Sequence, residues 1–226
     1  MTPYKYLFFD VANTLLHKPL LIPRICETLE QFAIKVDPAL VKERHKLVSE
    51  IIPFPAKTSQ EFYRTFNAEV LLALGIIPTG ELLDAIFKNC TYLEWARFDD
   101  TGILDAIPVP LGIISNWDRT ISEKLSSFFT VAFCSITASA EKGCAKPDPA
   151  LYQHVLDSLD CRPDEILYVG DSIKLDIIPA TALGINAILI DRDNMYPWFN
   201  GARITSLHQL AHYFPEITPA HRIGES

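Results

Sequence analysis

Three short apolar runs, each leading directly to a polar residue, constrain the fold of this chain more than any other feature. The first run ends at Asp10, the second at Ser115, and the third directly before Asp171. Short apolar runs bounded by turn residues are typical of strands buried on both faces of a parallel sheet. Polar side chains at the carboxyl ends of such strands share one crevice. The sequence therefore predicts that these three side chains lie together.

Helical segments alternate with strands in the second half of the chain. The predicted strands there are residues 110–115, 131–137, 166–170 and 186–191. Helices are expected at 120–127, from Asp148 onward, and from about Pro179 to Gly184, where proline opens and glycine closes a helix. This alternation predicts an α/β fold with a doubly wound, Rossmann-like parallel sheet and right-handed crossovers.

The segment between the first two strands is helical throughout. Asp37 with Pro38, the pair Thr58 and Glu61, and Thr79 mark three helix starts, and a further helix precedes them. We therefore expect an all-helical domain at 17–97, inserted into an α/β core formed by 1–16 and 98–215. A short helix is expected at 206–213, and the polar residues 216–226 are expected to form a loose tail.

Charge and cysteine content narrow the class of partner. The net charge of −8 and pI of about 5.2 argue against nucleic-acid or anionic-membrane partners. No apolar run approaches the ~20 residues that span a bilayer. The five scattered cysteines are typical of reduced thiols. We expect a cytoplasmic protein, a monomer or weak dimer, that acts on a small molecule.

The residues delivered to the predicted crevice suit phosphoryl transfer. Two carboxylates from separate strand ends, Asp10 and Asp171, match the oxygen ligands of Mg²⁺. The Ser115 hydroxyl and the Lys146 ammonium suit an oxyanion whose charge is spread over three oxygens. A carboxylate in such a site can attack phosphorus and form an aspartyl-phosphate. The whole set therefore fits phosphoryl transfer.

Four motifs in order carry a family resemblance. They are Asp10-Val-Ala-Asn-Thr14, Ile114-Ser115-Asn116, Lys146-Pro147-Asp148-Pro149, and Gly170-Asp171-Ser172 with Asp176. Through them the chain resembles the haloacid dehalogenase (HAD) superfamily of hydrolases over nearly its whole length, and the helical insertion is similar to that family's C1-type cap (subfamily I). Each motif is weak alone, but their order makes a chance match improbable.

The resemblance implies a metal site and a nucleophile. Asp10 would be the nucleophile and a Mg²⁺ ligand, with the backbone carbonyl of Ala12 as a second ligand. Asp171 would bind Mg²⁺ directly. Asp176 would belong to the same metal site by orienting a metal-bound water, or would orient Lys146.

The resemblance also implies the groups that contact the substrate. Ser115 would donate to the transferring phosphoryl group, and Lys146 would neutralise its developing charge and keep Asp10 ionised. Asn116 would line the site, Thr14 would brace the first loop beside the substrate, and Trp117 is a candidate substrate contact because it follows a motif residue.

Ala12 departs from the family pattern. In the family's phosphatases an aspartate at this position protonates the leaving group and later activates water. A positioned acid or base contributes about 10²–10⁴-fold, so esters with poor leaving groups should react slowly. Asn13 replaces the usual glycine, a mild change because asparagine tolerates a left-handed backbone.

Ala12 leaves four functions open. The first is a phosphatase whose acid comes from water, His17 or the substrate itself. The second resembles phosphonoacetaldehyde hydrolase, which also carries alanine there and forms a Schiff base with a cap lysine; Lys35, Lys42, Lys46 and Lys57 lie in the predicted cap. The third is a 2-haloacid dehalogenase, against which Asp171 argues. The fourth is a catalytically weakened phosphate-binding or partner-binding protein.

Overall fold

A computed structural model of the chain describes residues 4–52, 54–55 and 58–217. These residues form two compact units, one from the described parts of Met1–His17 and Arg97–Ser226 and the other from Lys18–Ala96. Among them, every helix is too short or too polar to cross a membrane. Lys57 and the predicted tail beyond residue 217 lie outside the described residues.

Short strands provide the framework of the first unit. The strands are β1 (Tyr6–Phe9), β2 (Leu16–His17), β3 (Ala96–Arg97), β4 (Leu111–Ser115), β5 (Phe133–Ala138), β6 (Ile166–Gly170), β7 (Asn186–Ile190) and β8 (Ala202–Ile204). Within the described residues, six of them form a parallel sheet in the order β5-β4-β1-β6-β7-β8. The strands β2 and β3 pair separately. The predicted doubly wound parallel sheet is thus confirmed, and β8 is an additional edge strand that the sequence analysis missed.

The strand β1 lies near the centre of this sheet. Phe9 pairs with Ile113 of β4 and with Val169 of β6, so the three strands end at nearly the same level. Every residue of β4 and β6 is buried, which fits strands covered on both faces. This register brings the residues that follow β1, β4 and β6 to one edge of the sheet.

Helices cover the sheet and fill the second unit. The α-helices are α1 (Leu21–Gln31), α2 (Pro38–Ile51), α3 (Gln60–Ala73), α4 (Gly80–Cys90), α5 (Ile121–Phe128), α6 (Ser139–Lys142), α7 (Pro149–Leu156) and α8 (Ile178–Ala182). Tighter 3₁₀ turns lie at Asp99–Ala106, Pro163–Glu165 and Leu207–His212, and a π-helical turn lies at Ile173–Ile177. The helix expected from Pro179 to Gly184 is therefore a single turn preceded by this π-helical turn.

The second unit is made of α1 to α4. Asp37 accepts a hydrogen bond from Ala39 N, and Thr79 accepts one from Leu82 N, as expected for residues that cap helices. The predicted cap at Thr58 is wrong, because Ser59 accepts the hydrogen bond from Phe62 N. Adjacent hydroxyl residues offer the same cap chemistry, so the pattern alone does not separate them.

Side chains pack closely at two places in the first unit. Gly112 faces the Phe8 ring so closely that a side chain there would overlap it. At the carboxyl end, Phe214 and Ile217 are buried. The expectation of a loose segment from residue 216 is therefore wrong for Ile217, whose apolar side chain joins the core.

Candidate functional site

Asp10, Ser115 and Lys146 meet at the carboxyl edge of the sheet. Asp10 directly follows β1, and its Oδ1 accepts a hydrogen bond of 2.9 Å from the Ser115 hydroxyl at the end of β4. The Lys146 ammonium lies 2.6 Å from the same oxygen. All three residues are buried. The structure thus brings a carboxylate together with a hydroxyl and an ammonium that lie far from it in the sequence.

Asp176 holds the other side of Lys146. Its Oδ1 lies 2.6 Å from the Lys146 Nζ and accepts a 2.7 Å hydrogen bond from the Tyr168 hydroxyl. Its Oδ2 accepts from the backbone N–H of Ser172 at 3.0 Å. Both oxygens of Asp176 therefore already have donors, which favours its role as the residue that orients Lys146 over that of a direct metal ligand.

Asn116 fixes the backbone of Lys146. Its side-chain Nδ2 donates to the Lys146 carbonyl at 3.0 Å, and its Oδ1 accepts from the Lys146 N–H at 2.7 Å. The two hydrogen bonds form a paired amide contact between the end of β4 and the loop before α7. Asn116, expected to line the substrate site, thus acts on the position of the lysine.

The electrostatics of this cluster are dominated by burial and by facing charges. Burial raises the pKa of Asp10 to about 6; Lys146 opposes this, while Asp176 and Asp171 add to it. Burial alone would lower the pKa of Lys146, but the charges of Asp10 and Asp176 raise it above its usual value. Lys146 therefore stays charged, and Asp10 becomes ionised near neutral pH.

Oxygen ligands suited to a cation are present beside Lys146. Carboxylate oxygens of Asp10, Asp171 and Asp176 lie within 4.8 Å of one another. When ionised, three carboxylates against one ammonium leave a formal charge of −2, which a divalent cation would balance. Both side-chain donors to Asp10 reach Oδ1, which leaves Oδ2 for a metal. The set fits Mg²⁺, a hard cation that takes few protein carboxylates and keeps several waters.

The loop from Asp10 to Leu16 is a tight turn closed by its own backbone. Asn13 N donates to Leu16 O at 2.6 Å, and Leu16 N donates to Val11 O at 2.9 Å. Asn13 has φ 61°, the left-handed conformation that asparagine was expected to tolerate. Ala12 is half-buried within this turn. Its methyl group offers no proton to a reaction at Asp10.

Thr14 and Trp117 are placed differently from the other predicted contacts. Thr14 is fully buried, its hydroxyl has no hydrogen-bond partner among the described residues, and its carbonyl oxygen accepts from Arg192. This favours bracing of the loop over contact with a substrate. Trp117 is half-buried, and its carbonyl oxygen accepts from Ala140 N at 3.2 Å.

Tyr168 is a site residue that the sequence analysis missed. Its hydroxyl contacts both Asp176 and Lys146, the latter at 3.3 Å. It lies inside the apolar run of β6, where the sequence pattern predicts only that a tyrosine packs in the core. No local signal marks its hydroxyl as a partner of charged groups.

Comparison with known proteins finds a matching family model and relatives of similar sequence. Residues 104–190 match the family model described as haloacid dehalogenase-like hydrolase. A relative in Danio rerio, haloacid dehalogenase-like hydrolase domain-containing protein 3, is 24% identical over 209 residues, which cover 84% of this chain and 86% of the relative. Glyceraldehyde 3-phosphate phosphatase of Methanothermobacter thermautotrophicus is 25% identical over 210 residues, which cover 84% of this chain and 86% of that phosphatase.

A solved structure shows the same fold. The magnesium-bound HAD-hydrolase YfnB of Bacillus subtilis superposes with a TM-score of 0.63 at 19% identity. The match covers 94% of this chain and 99% of that protein. At 19% identity, this similarity shows that the two proteins share a fold.

Proposed function

We propose that this chain is a hydrolase of the haloacid dehalogenase superfamily, and more specifically a Mg²⁺-dependent phosphatase that forms an aspartyl-phosphate on Asp10. The observation that carries the proposal is the contact of the Asp10 carboxylate with both the Ser115 hydroxyl and the Lys146 ammonium. The substrate class is small phosphate esters, as the name of its phosphatase relative suggests.

The reaction has two balanced steps. A carboxylate oxygen of Asp10 bonds to phosphorus, and the bond from phosphorus to the leaving oxygen breaks, so that this oxygen departs with the electron pair. Water then attacks the same phosphorus, the bond to Asp10 breaks, and the water proton passes to solvent or product. Free phosphate and the original carboxylate result.

The surrounding groups stabilise the phosphoryl charge in both steps. Lys146 is held between Asp10 and Asp176, and beside the nucleophile its charge would stabilise the equatorial oxygens of the phosphoryl group. The Ser115 hydroxyl, which contacts Asp10, would turn to donate to one of those oxygens when substrate binds. The Lys146 ammonium is already in place before substrate binds, so its charge needs no rearrangement of solvent during the reaction.

The metal would be held by Asp10 Oδ2, by Asp171 and by the backbone carbonyl of Ala12. When bound, Mg²⁺ neutralises phosphate charge and acts as a Lewis acid on a phosphoryl oxygen. Asp176 would act through Lys146, since its oxygens already accept from Lys146, Tyr168 and Ser172.

The helical unit Lys18–Ala96 would serve as the C1-type cap that determines which substrate binds.

The protein would act in the cytoplasm, which its five free thiols support. Three of the cap lysines considered for a Schiff-base mechanism give it no support. Lys35 and Lys42 are exposed, and Lys46 pairs with Glu50 at 3.1 Å.

The proposal is tested by phosphate release from a panel of phosphorylated metabolites, with and without Mg²⁺. We expect release that requires Mg²⁺ and is lost in Asp10→Asn, which keeps the size of the side chain but removes the nucleophile. Thermal melting of both proteins controls for folding. Release that continues in Asp10→Asn, or that is independent of Mg²⁺, contradicts the proposal. A lysine adduct trapped by borohydride with a carbonyl substrate would instead favour the phosphonate hydrolase.

A further inference from the structure

Arg192 contacts two separate segments of the first unit, residues 98–100 and the loop that contains Thr14. It lies two residues after β7, and its guanidinium donates to Asp100 twice, from Nη1 at 2.7 Å and from Nη2 at 3.1 Å. Nη2 also donates to the carbonyl oxygen of Thr14 at 2.8 Å. Its Cζ lies 3.7 Å from the centre of the Phe98 ring. The side chain is only 16% exposed, so these contacts are well shielded from water.

Asp100 gives Arg192 a fixed anchor. Besides the guanidinium, it accepts from the Ser206 hydroxyl at 2.9 Å and from Leu207 N at 2.8 Å. Burial alone would raise the pKa of Asp100, but the hydrogen bonds and charge of Arg192, with those from Leu207 and Ser206, lower it overall. The carboxylate therefore stays ionised, and the planar fork of the arginine is held in one orientation.

The Nη2 nitrogen of this fork, which also bonds Asp100, reaches the loop that carries Asp10. Thr14 lies in the turn closed by the hydrogen bonds between Asn13 and Leu16 and between Leu16 and Val11. A turn closed in this way moves as one piece. A shift at the Thr14 carbonyl is therefore passed to Asp10 and to the Ala12 carbonyl.

We propose that Arg192 is a positioning residue, which sets the place of Asp10 and of the Ala12 carbonyl by holding the Thr14 carbonyl. The inference rests on the proposed function, because it assigns Arg192 to the reaction at Asp10. Lysine cannot replace it: a single ammonium lacks the planar fork that bonds Asp100 through two nitrogens while reaching Thr14. A misplacement of about 1 Å can cost about 10²-fold in rate.

A second ion pair nearby offers a matched control. Arg203 lies 2.8 Å from Asp191, and the two side chains are 25% and 3% exposed. Its guanidinium also donates to Asn194 but has no hydrogen bond to the loop of Asp10. Arg203→Lys thus perturbs a second partly buried arginine–aspartate pair, which Arg203 makes through Nη1, without touching the nucleophile loop.

The test compares Arg192→Lys with Arg203→Lys. We expect both to lower the melting temperature by similar amounts. Only Arg192→Lys should lower kcat, by about tenfold or more, with KM changed by less than about twofold. Equal kcat values in the two variants would overturn the proposal, because Arg192 would then contribute to folding alone.

Two further measurements test the proposal without comparing the kcat values of the two lysine variants. Isothermal titration with Mg²⁺ should show at least about threefold weaker binding to Arg192→Lys than to Arg203→Lys, since the Ala12 carbonyl and Asp10 share the displaced loop. Ethylguanidinium should restore phosphate release by Arg192→Ala, whereas ethylammonium should not. Unchanged Mg²⁺ affinity together with no rescue would also overturn the proposal.

Failure of this proposal and failure of the proposed function give different results. If the wild-type protein releases no phosphate from any ester, the proposed function fails, and Mg²⁺ binding alone decides the role of Arg192. If the wild type is active and Arg192→Lys matches Arg203→Lys, only the role of Arg192 fails. Should Arg192→Ala not fold, the two lysine variants still decide.

Discussion

The ammonium nitrogen of Lys146 lies 2.6 Å from Oδ1 of Asp10, and the two side chains are only 3% and 7% exposed. On its other side the same nitrogen lies 2.6 Å from Asp176. One cation therefore balances two buried anions. Removing it leaves those carboxylates facing each other without water to screen them. The stability of the site and the proposed chemistry thus depend on the same nitrogen.

Lys146→Met should impair both folding and activity. We expect kcat to fall by at least about 100-fold, because the charge that stabilises the phosphoryl oxygens is lost. The free energy of unfolding should fall by about 3 kcal/mol, the scale for breaking a buried ion pair. Urea denaturation and phosphate release measure the two effects. The exposed Lys142→Met is the matched control, and a kcat close to that of wild type in Lys146→Met would contradict the account.

Gly170→Ala should disturb Lys146 indirectly. A side chain at Gly170 would overlap the carboxyl group of Asp176, so that group must move away from Lys146. We expect kcat to fall by about tenfold, and overpacking to cost about 1–3 kcal/mol of stability. Gly102→Ala is the control, because a side chain there meets no atom within 4 Å. If both variants keep wild-type kcat, Asp176 does not control the position of Lys146.

Ala12→Asp should add the missing acid. We expect kcat to rise on an alkyl phosphate by about 10²-fold, since a positioned acid contributes about 10²–10⁴-fold, and by less on an aryl phosphate, whose leaving group needs little protonation. Ala12→Asn has nearly the same shape but no transferable proton and should give no gain. A fall in activity of Ala12→Asp on both esters would show that Ala12 belongs to another mechanism.

His45 should make the helical unit less stable in acid. Burial lowers the pKa of His45 to about 4, with the charge of Lys46 adding to this, and the ring contacts Phe66 at 4.9 Å between centroids. Between pH 6.5 and 4 the unfolded chain binds a proton there and the folded chain does not, so stability falls as the pH falls through this window.

Urea denaturation from about pH 7.5 to about pH 4.5 measures this loss, which we expect to reach about 2 kcal/mol for this group. His45→Gln carries no titrating ring and should lose correspondingly less stability over the same range. An equal loss in both proteins would place the acid sensitivity elsewhere.

Much of the fold could be predicted because its signals are local. The apolar run of β6 was predicted at residues 166–170, the bounds that the structure shows. Asp10, Ser115 and Asp171 could be expected to meet because strand ends on a parallel sheet share one edge. The strand β8 could not be found this way, since Ala202–Ile204 is only three residues long and has a charged residue at its centre.

The remaining site residues could not be predicted because their partners are distant in the sequence. The Tyr168 hydroxyl lies in an apolar strand, and only the packed structure shows its contact with Asp176. Arg192 and Asp100 are 92 residues apart, and neither lies in a recognisable motif. Such long-range contacts follow from tertiary packing, on which local patterns carry no information.

The most direct test of the central claim is to find the phosphorylated residue. Wild-type protein turning over substrate with Mg²⁺ is quenched in acid, reduced with borohydride and analysed by peptide mass spectrometry. Reduction converts an aspartyl-phosphate to homoserine. We expect homoserine at position 10, and none in Asp10→Asn. Active protein in which Asp10 stays unmodified while another residue carries the phosphate, or in which no acyl phosphate forms during turnover, would contradict the account.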